Sequence, residues 1–390
     1  MKTVALVTYW FPPDVGACPN RMGDLVEELP QHGLKPAVLV RAAWSGDREA
    51  HGGHPMARGL GPVAVARWLR SCRPDVAIVT VPPWHEVWPA WLACRMMRVP
   101  TVLDVRDPWS LVEERLRAGQ RGIRMKAKLY AAAERVMCSG SAAVVVNSQG
   151  LLRYLSVLDG RPKPQVWFVP NAHRLDAVVP RSSALRQALG LEGRYVILYA
   201  GAMGAAQGME LVFASISPHI GRLRAMNVAF VFLGGRERAS RELALMAQQH
   251  GLEGVAFFHA AVPRETAMAA MADADAGLIA LSEGFDYAMP SKLFDALGFG
   301  KPVLAHVPPT STAAWFVDEH GVGVHFYGPE RLLPAVCGVM ERGAEMGEAG
   351  RRLVAEEYNR SATVGRLAAH LHGLLNHTCP ESAPMGGGTA

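Results

Sequence analysis

Cysteine is sparse in this chain of 390 residues and is never paired at metal or redox spacing. Cys18, Cys72, Cys94, Cys138, Cys337 and Cys379 stand far apart, with no CxxC among them. That speaks against a zinc module or a disulfide framework and points to a reducing compartment, hence a cytoplasmic protein. Charge is thin too, at 19% of residues, and close to balanced, with a net charge of +5. Basic residues are scattered apart from one run, so nucleic acid is not expected as a partner. No stretch approaches the roughly 18 uncharged apolar residues that a membrane helix needs. The run in MKTVALVTYWFPP is too short for a signal core and enters Pro12 and Pro13 directly, so it reads as a first buried strand. Neither a repeat nor a low-complexity block interrupts the body of the chain.

What is present is a globular composition, half of it hydrophobic, over a length that one core rarely serves. Short apolar runs alternate with stretches of helical period. Val4–Tyr9, a loop rich in Pro and Gly, a helix over Arg21–Gln31 stopped by Gly33, and Pro36–Val40 make a βαβ unit. Expected strands Val76–Val81, Thr101–Val105, Ala142–Val146 and Gln165–Val169 continue it, with Trp44–Gly61 read as loop. The alternation restarts at strand Tyr195–Tyr199, loop GAMGAAQG and helix Met209–Ile216, and runs on to strand Gly277–Leu281. Helices are expected again near Pro329–Met340 and Arg352–Leu375. The expected fold class is α/β, two tandem Rossmann-like domains with parallel sheets. Residues 1–172 form the first, 173–376 the second and 377–390 a disordered tail, with a hinge between Pro170 and Pro180.

The stretch EGFDYAMPSKLFDALGFGKPVLA, from Glu283 to Ala305, carries the clearest chemistry. Pro290 and Ser291 are helix-start residues, the serine oxygen being able to satisfy an orphan amide. Leu293, Phe294 and Leu297 supply the buried stripe of a short helix that Gly298 and Gly300 can end. Unpaired amides, the positive end of the helix dipole and the ammonium of Lys292 would converge on one place, where an anion such as a phosphate belongs. Asp295 shares that face one turn deeper, where a carboxylate can accept hydrogen bonds from a sugar's hydroxyls. The bland alternative is an ordinary surface helix with a Lys–Asp pair.

Other candidates sit at expected strand ends. Gly16, Asn20 and Arg21 follow the first strand, and Asp104, Arg106 and Asp107 follow another, although Asp107 can equally cap the helix that Pro108 starts. Gly201 and Gly204 stand between a strand and a helix, where amides can approach a phosphate. Val112–Met137 reads as one basic helix, with Arg115, Arg117, Arg121, Arg124, Lys126, Lys128 and Arg135 among apolar residues. It is either a solvated face or a surface that docks on an anionic membrane. Asp273 and Asp275 look like a DxD pair but fall at a helix-to-strand junction, and no metal site is expected.

Six strings in order, YWFPPDVGACPNR, VVVNSQG, FVPNAHRLD, LYAGAMGAAQGMEL, FVFLGG and PSKLFDALGFGKPVLA, resemble landmarks of the two-domain GT-B glycosyltransferases. Among these the chain is most similar to family 4, the retaining nucleotide-sugar group, and within it to the PSKLFE-type subgroup. The resemblance implies sheets facing across a cleft, with an acceptor-binding first domain and a donor-binding second one. It implies a nucleotide-sugar co-substrate, UDP-linked before others, with no further cofactor. The acceptor would be a carbohydrate or lipid-linked, in bacterial surface polysaccharide or glycolipid assembly. Carried over by motif, Lys292 and Ser291 would hold the donor diphosphate and Asp295 the ribose, while Gly201 and Gly204 pack the phosphates. Gly16 would approach from the first domain, His259 and Val262 would frame the base, and Asp107 would face the acceptor. Asp295 stands where the family usually has Glu, and His259 replaces a common Gly. The loop Gly201–Gly208 lacks the basic residues of many relatives, which leaves Lys292, with Arg236 or Arg264, to neutralise the diphosphate. Two other readings fit the same architecture: a UDP-sugar 2-epimerase and a non-catalytic nucleotide-sugar binding protein.

Overall fold

The computed structural model describes residues 1–14, 16–44, 54–116, 122–157, 165–175, 182–235 and 237–377. The first half runs β1 (Lys2–Val7), α1 (Ala17–Glu28), β2 (Leu34–Val40), β3 (Met56–Arg58), α2 (Pro62–Cys72), β4 (Val76–Val81), α3 (Trp84–Met96), β5 (Thr101–Val105), α4 (Trp109–Leu116), α5 (Ile123–Ser139), β6 (Ala143–Val146), α6 (Gln149–Val157) and β7 (Gln165–Phe168). Its strands form one parallel sheet in the order β3-β2-β1-β4-β5-β6-β7. Helices cover both faces, so strands such as VAIVTV of β4 are unbroken buried runs without alternation.

The second half runs α7 (Ala184–Ala188), β8 (Tyr195–Ala200), α8 (Met209–Ile216), α9 (Ile220–Ala225), β9 (Val228–Leu233), α10 (Glu237–Gln249), β10 (Ala256–His259), α11 (Arg264–Asp273), β11 (Ala276–Ala280), α12 (Ser291–Gly298), β12 (Val303–His306), α13 (Thr312–His320), β13 (Gly323–Phe326), α14 (Leu332–Leu353) and α15 (Arg360–His377). Its parallel sheet has the order β10-β9-β8-β11-β12-β13. Two Rossmann-like α/β units result. Strand order reverses between β1 and β4 in one sheet and between β8 and β11 in the other, and ligands of open α/β sheets bind at such points. Because β8 and β11 are neighbours, the glycine loop after one and the segment leading to α12 after the other leave the sheet side by side.

Two chain crossings join the halves and pair with each other. The amide of His173 donates to the carbonyl of Tyr358 at 2.9 Å, and that of Arg360 to the carbonyl of His173 at 3.0 Å. The second crossing returns α15 to the first half, where Leu367, Leu371 and Leu375 join a core that includes Leu25 and Leu29. Arg360 pairs with Glu28 at 3.0 Å beside it. By packing, α15 belongs with the first half although its sequence follows the second.

Several local expectations change. The loop expected over Trp44–Gly61 contains β3, whose three residues are too few to show a period. The single helix expected over Val112–Met137 is two, α4 and α5, packed on one another, and Arg117 and Arg121 lie outside the described residues. α12 closes at Gly298 as expected, with Gly300 just beyond it at a φ of +67°. α14 continues to Leu353, well past Met340, and the chain turns before α15. His377 closes α15 and 378–390 lie outside the described residues. No helix among the described residues is long and apolar enough to cross a membrane.

Candidate functional site

α12 starts at Ser291, with Pro290 as its N-cap in extended conformation, and no side chain caps it. The serine is therefore not the cap expected of it; the Leu293 amide donates to the Pro290 carbonyl at 3.1 Å, and an uncapped helix start of this kind can receive an anion. Lys292 is partly exposed as a residue, but its ammonium is enclosed. It donates to the hydroxyl of Tyr199 and lies 3.9 Å from that ring's centroid. Its end also covers Gly201, where a β-carbon would stand 3.3 Å from Cε. Burial lowers the lysine to about 7, with Asp295 pulling in the other direction.

Asp295 is buried one turn deeper. Its Oδ1 accepts hydrogen bonds from Nδ1 of His173 at 3.0 Å and from Nη2 of Arg264 at 3.4 Å. Ser291 and Asp295 line a cleft between the halves, opposite Ala17, Asn20 and Asn171. Gly16 precedes this wall as the N-cap of α1, at a φ of +145° that side-chain-bearing residues rarely adopt. Arg21 borders the cleft too, with its Nη1 committed to backbone inside the protein. It donates to the carbonyls of Val169 at 3.1 Å and Pro170 at 3.0 Å and faces Asp104 at 3.4 Å.

The glycine loop is tightly built. Gly201 has φ +138°, and a β-carbon on Gly234 would overlap its carbonyl oxygen. The amide of Gly201 donates to Leu233 at 2.9 Å and that of Gly204 to Oε1 of Gln207 at 2.8 Å. Neither amide is an open donor, contrary to expectation, so what the pair offers a ligand is bare backbone beside Lys292. His259 ends β10, its carbonyl accepting the amide of Gly234 at 3.0 Å, and Val262 packs on the core a few residues before Arg264. This places both on the strand-end rim that leads to Asp295. Arg236 lies outside the described residues.

Asp107 is apart from α12, at the end of β5. It does not cap α4, whose early amide at Ser110 is taken by Glu134 at 2.8 Å. Instead its Oδ1 accepts the hydroxyl of Tyr287, which belongs to the second half, at 3.2 Å. Burial raises the Asp107 carboxyl to about 6 against the opposing pull of Arg106 and Tyr287. Asp273 and Asp275 both face Arg186, at 3.0 and 3.1 Å, and Asp275 also accepts the amide of Val196 at 2.7 Å. That pair is a structural clamp. Tyr199, His173 and Tyr287 were not singled out from the sequence, and no local pattern marks them.

Two parallel-sheet α/β units with a cleft between them define the GT-B class of fold. Residues 16–172 match the family model described as glycosyl transferase 4-like domain, and residues 194–341 match glycosyl transferases group 1, so together they cover most of the chain. The chain belongs to the GT-B glycosyltransferases of the family 4 type. Its fold is similar to that of sucrose-phosphate synthase from Thermosynechococcus elongatus, with a TM-score of 0.79 and 15% identity over 97% of this chain and 100% of that one. Anabaena HepE, solved in complex with UDP and glucose, is similar with a TM-score of 0.73 and 17% identity over 96% and 100% of the two chains. WaaG, a glycosyltransferase involved in lipopolysaccharide biosynthesis, gives 0.70 and 16% over 95% and 100%. The probable glycosyltransferase WbjE of Pseudomonas aeruginosa is 23% identical over 196 residues, 48% of this chain and 46% of that one. The chain thus matches about half the length of this curated relative.

Proposed function

We propose that the protein transfers a sugar from a nucleoside diphosphate donor, UDP-linked before others, to an acceptor hydroxyl with retention at the anomeric carbon. The observation that carries this is the uncapped amino end of α12, with the Lys292 ammonium enclosed beside it and Ser291 and Asp295 on the wall of the cleft between the halves. HepE, similar in fold, was solved with UDP and glucose.

In this reading the diphosphate rests on the helix tip, and Asp295, whose Oδ1 is held by His173 and Arg264, turns Oδ2 to the ribose. As the bond from C1 to the diphosphate oxygen breaks, negative charge builds on that oxygen. The helix tip and Lys292 stabilise it where water is excluded. The acceptor oxygen bonds to C1 on the face the diphosphate leaves, and the acceptor's proton passes to the departing diphosphate oxygen. No metal ion is required, since fixed protein charge meets the leaving group. Closure about the paired crossings near Asn171 brings Gly16 toward the phosphates.

The acceptor side is read as a carbohydrate or a lipid-linked sugar in surface polysaccharide or glycolipid assembly, presented at an anionic leaflet. What supports the membrane contact is α5. Met125 and Leu129 are each 65% exposed and Val136 49%, in one stripe, while Arg124, Lys128 and Arg135 form a second exposed stripe beside it.

Activity of Lys292→Ala against a panel of nucleotide sugars tests the donor assignment. A charge-assisted hydrogen bond contributes roughly 1.5 to 3 kcal/mol, so the loss expected is about tenfold to a hundredfold on the donor used. Unchanged turnover on every donor rejects it. Donor consumed without acceptor would mark an epimerase, and binding without turnover a non-catalytic protein.

A further inference from the structure

Tyr287 lies in the segment between β11 and α12, yet it contacts the other half of the molecule through both backbone and side chain. Its carbonyl accepts the hydroxyl of Ser148 at 2.5 Å. A β-carbon on Gly150 would overlap its backbone, so glycine at that position is what lets the segment come so close. Two residues on, the carbonyl of Met289 accepts Nδ2 of Asn171 at 3.3 Å. The segment just ahead of Ser291 is therefore held by the first half at three points. From that fixed backbone the phenol reaches Asp107, and its hydroxyl is the hydrogen-bond partner the carboxylate has among the described residues.

On the same rim of the first sheet, the buried atoms without hydrogen-bond partners among the described residues include Nη1 of Arg106, Nε1 of Trp109 and Oδ1 of Asn147. They follow the neighbouring strands β5 and β6. Buried polar atoms left unpaired call for a ligand or water, and two donors with one acceptor suit a hydroxyl-rich molecule.

We infer that Tyr287 is a positioning residue for Asp107: carried by the donor half, its hydroxyl holds the carboxylate of the acceptor half oriented and ionised when the two halves are together, so that Asp107 can accept a hydrogen bond from a hydroxyl of a polyhydroxylated acceptor. The inference rests on the transfer reading above. It ties the acceptor side to the segment that positions the amino end of α12. The other groups facing this pair are Arg106 at the end of β5, Arg115 on α4, Tyr154 on α6, and Glu134 of α5 behind Ser110. Burial pushes Asp107 up to about 6, and the Tyr287 hydroxyl works against that rise. Removing the hydroxyl must move the carboxyl further up.

The test compares wild type, Tyr287→Phe and Asp107→Asn with donor saturating and acceptor varied, reading kcat/KM for the acceptor from about pH 5 to 9. Nucleotide affinity is measured alongside. Tyr287→Phe is expected to shift the acid limb upward by about one pH unit and to approach the wild-type rate at the alkaline end, with nucleotide affinity unchanged. Asp107→Asn is expected to abolish that limb. A Tyr287→Phe profile lowered equally at every pH marks a packing role and overturns the inference. So does an acid limb that survives in Asp107→Asn, while transfer itself would still stand. Absence of transfer by the wild type with any donor would instead count against the functional reading beneath it.

Discussion

Gly298 and His173 are packed so closely that a β-carbon on the glycine would overlap the imidazole. The ring it admits also lies edge-on to Phe299, with centroids 5.0 Å apart, and donates to Asp295. Gly298 closes α12, and a glycine in a helix is less favourable than alanine by at most about 1 kcal/mol. Here that cost makes room for the side chain that orients the carboxylate. Gly298→Ala should displace the His173 ring and bind nucleoside diphosphate about tenfold more weakly, the loss of roughly one hydrogen bond. Calorimetric titration checks this, and an alanine variant that binds like wild type would show the His173 to Asp295 contact to be dispensable.

The enclosed ammonium of Lys292 makes stability and binding depend on pH. Between about 7 and the ordinary lysine value of 10.5, the unfolded chain holds this proton and the folded one does not. Unfolding then takes up a proton, so the destabilisation due to this lysine is complete below that window and fades as pH rises through it. Lys292→Met should melt above wild type at neutral and lower pH in the ligand-free state, with the gap closing on the alkaline side. A variant that melts lower at neutral pH would contradict the burial of the charge.

A bound diphosphate favours the protonated amine and must pull that proton back. At about pH 8, nucleotide binding to wild type should take up close to one proton, and binding to Lys292→Met none. Titrations in buffers of different ionisation heat read this directly. Equal uptake in both proteins would place the anion away from Lys292.

The two stripes of α5 give a fourth expectation. Each basic residue near an anionic surface contributes about 1 kcal/mol, so neutralising Arg124, Lys128 and Arg135 together should cost on the order of a hundredfold in vesicle binding. Co-sedimentation with phosphatidylserine-containing vesicles should be salt-sensitive, and Leu129→Asp should weaken it as well. Equal binding to neutral vesicles, or none to either, contradicts the membrane role.

What could be read from the sequence divides by distance along the chain. The strands Val76–Val81 and Thr101–Val105 and the helix Met209–Ile216 match their expected bounds, because each is specified by its own apolar pattern. Ser291, Lys292 and Asp295 were legible for the same reason, being neighbours on one short helix. Their partners were not. His173 meets Asp295 across 122 residues of sequence, Tyr199 meets Lys292 across 93 and Tyr287 meets Asp107 across 180. Those meetings follow from the adjacency of β8 and β11 and from the closeness of the two halves, neither of which is written in a local pattern. The split of the basic run into α4 and α5 escaped notice because both helices share one composition. Lys126 looked like part of a free basic face but pairs with Glu113 at 3.2 Å.

The most direct measurement is a structure of the protein crystallised with UDP. The account predicts the diphosphate at the amino end of α12, within hydrogen-bond reach of the Ser291 and Lys292 amides, with the lysine ammonium turned from Tyr199 to the phosphate and the ribose on Asp295. UDP bound elsewhere, or a helix end that stays closed off by protein while nucleotide binds, would contradict it.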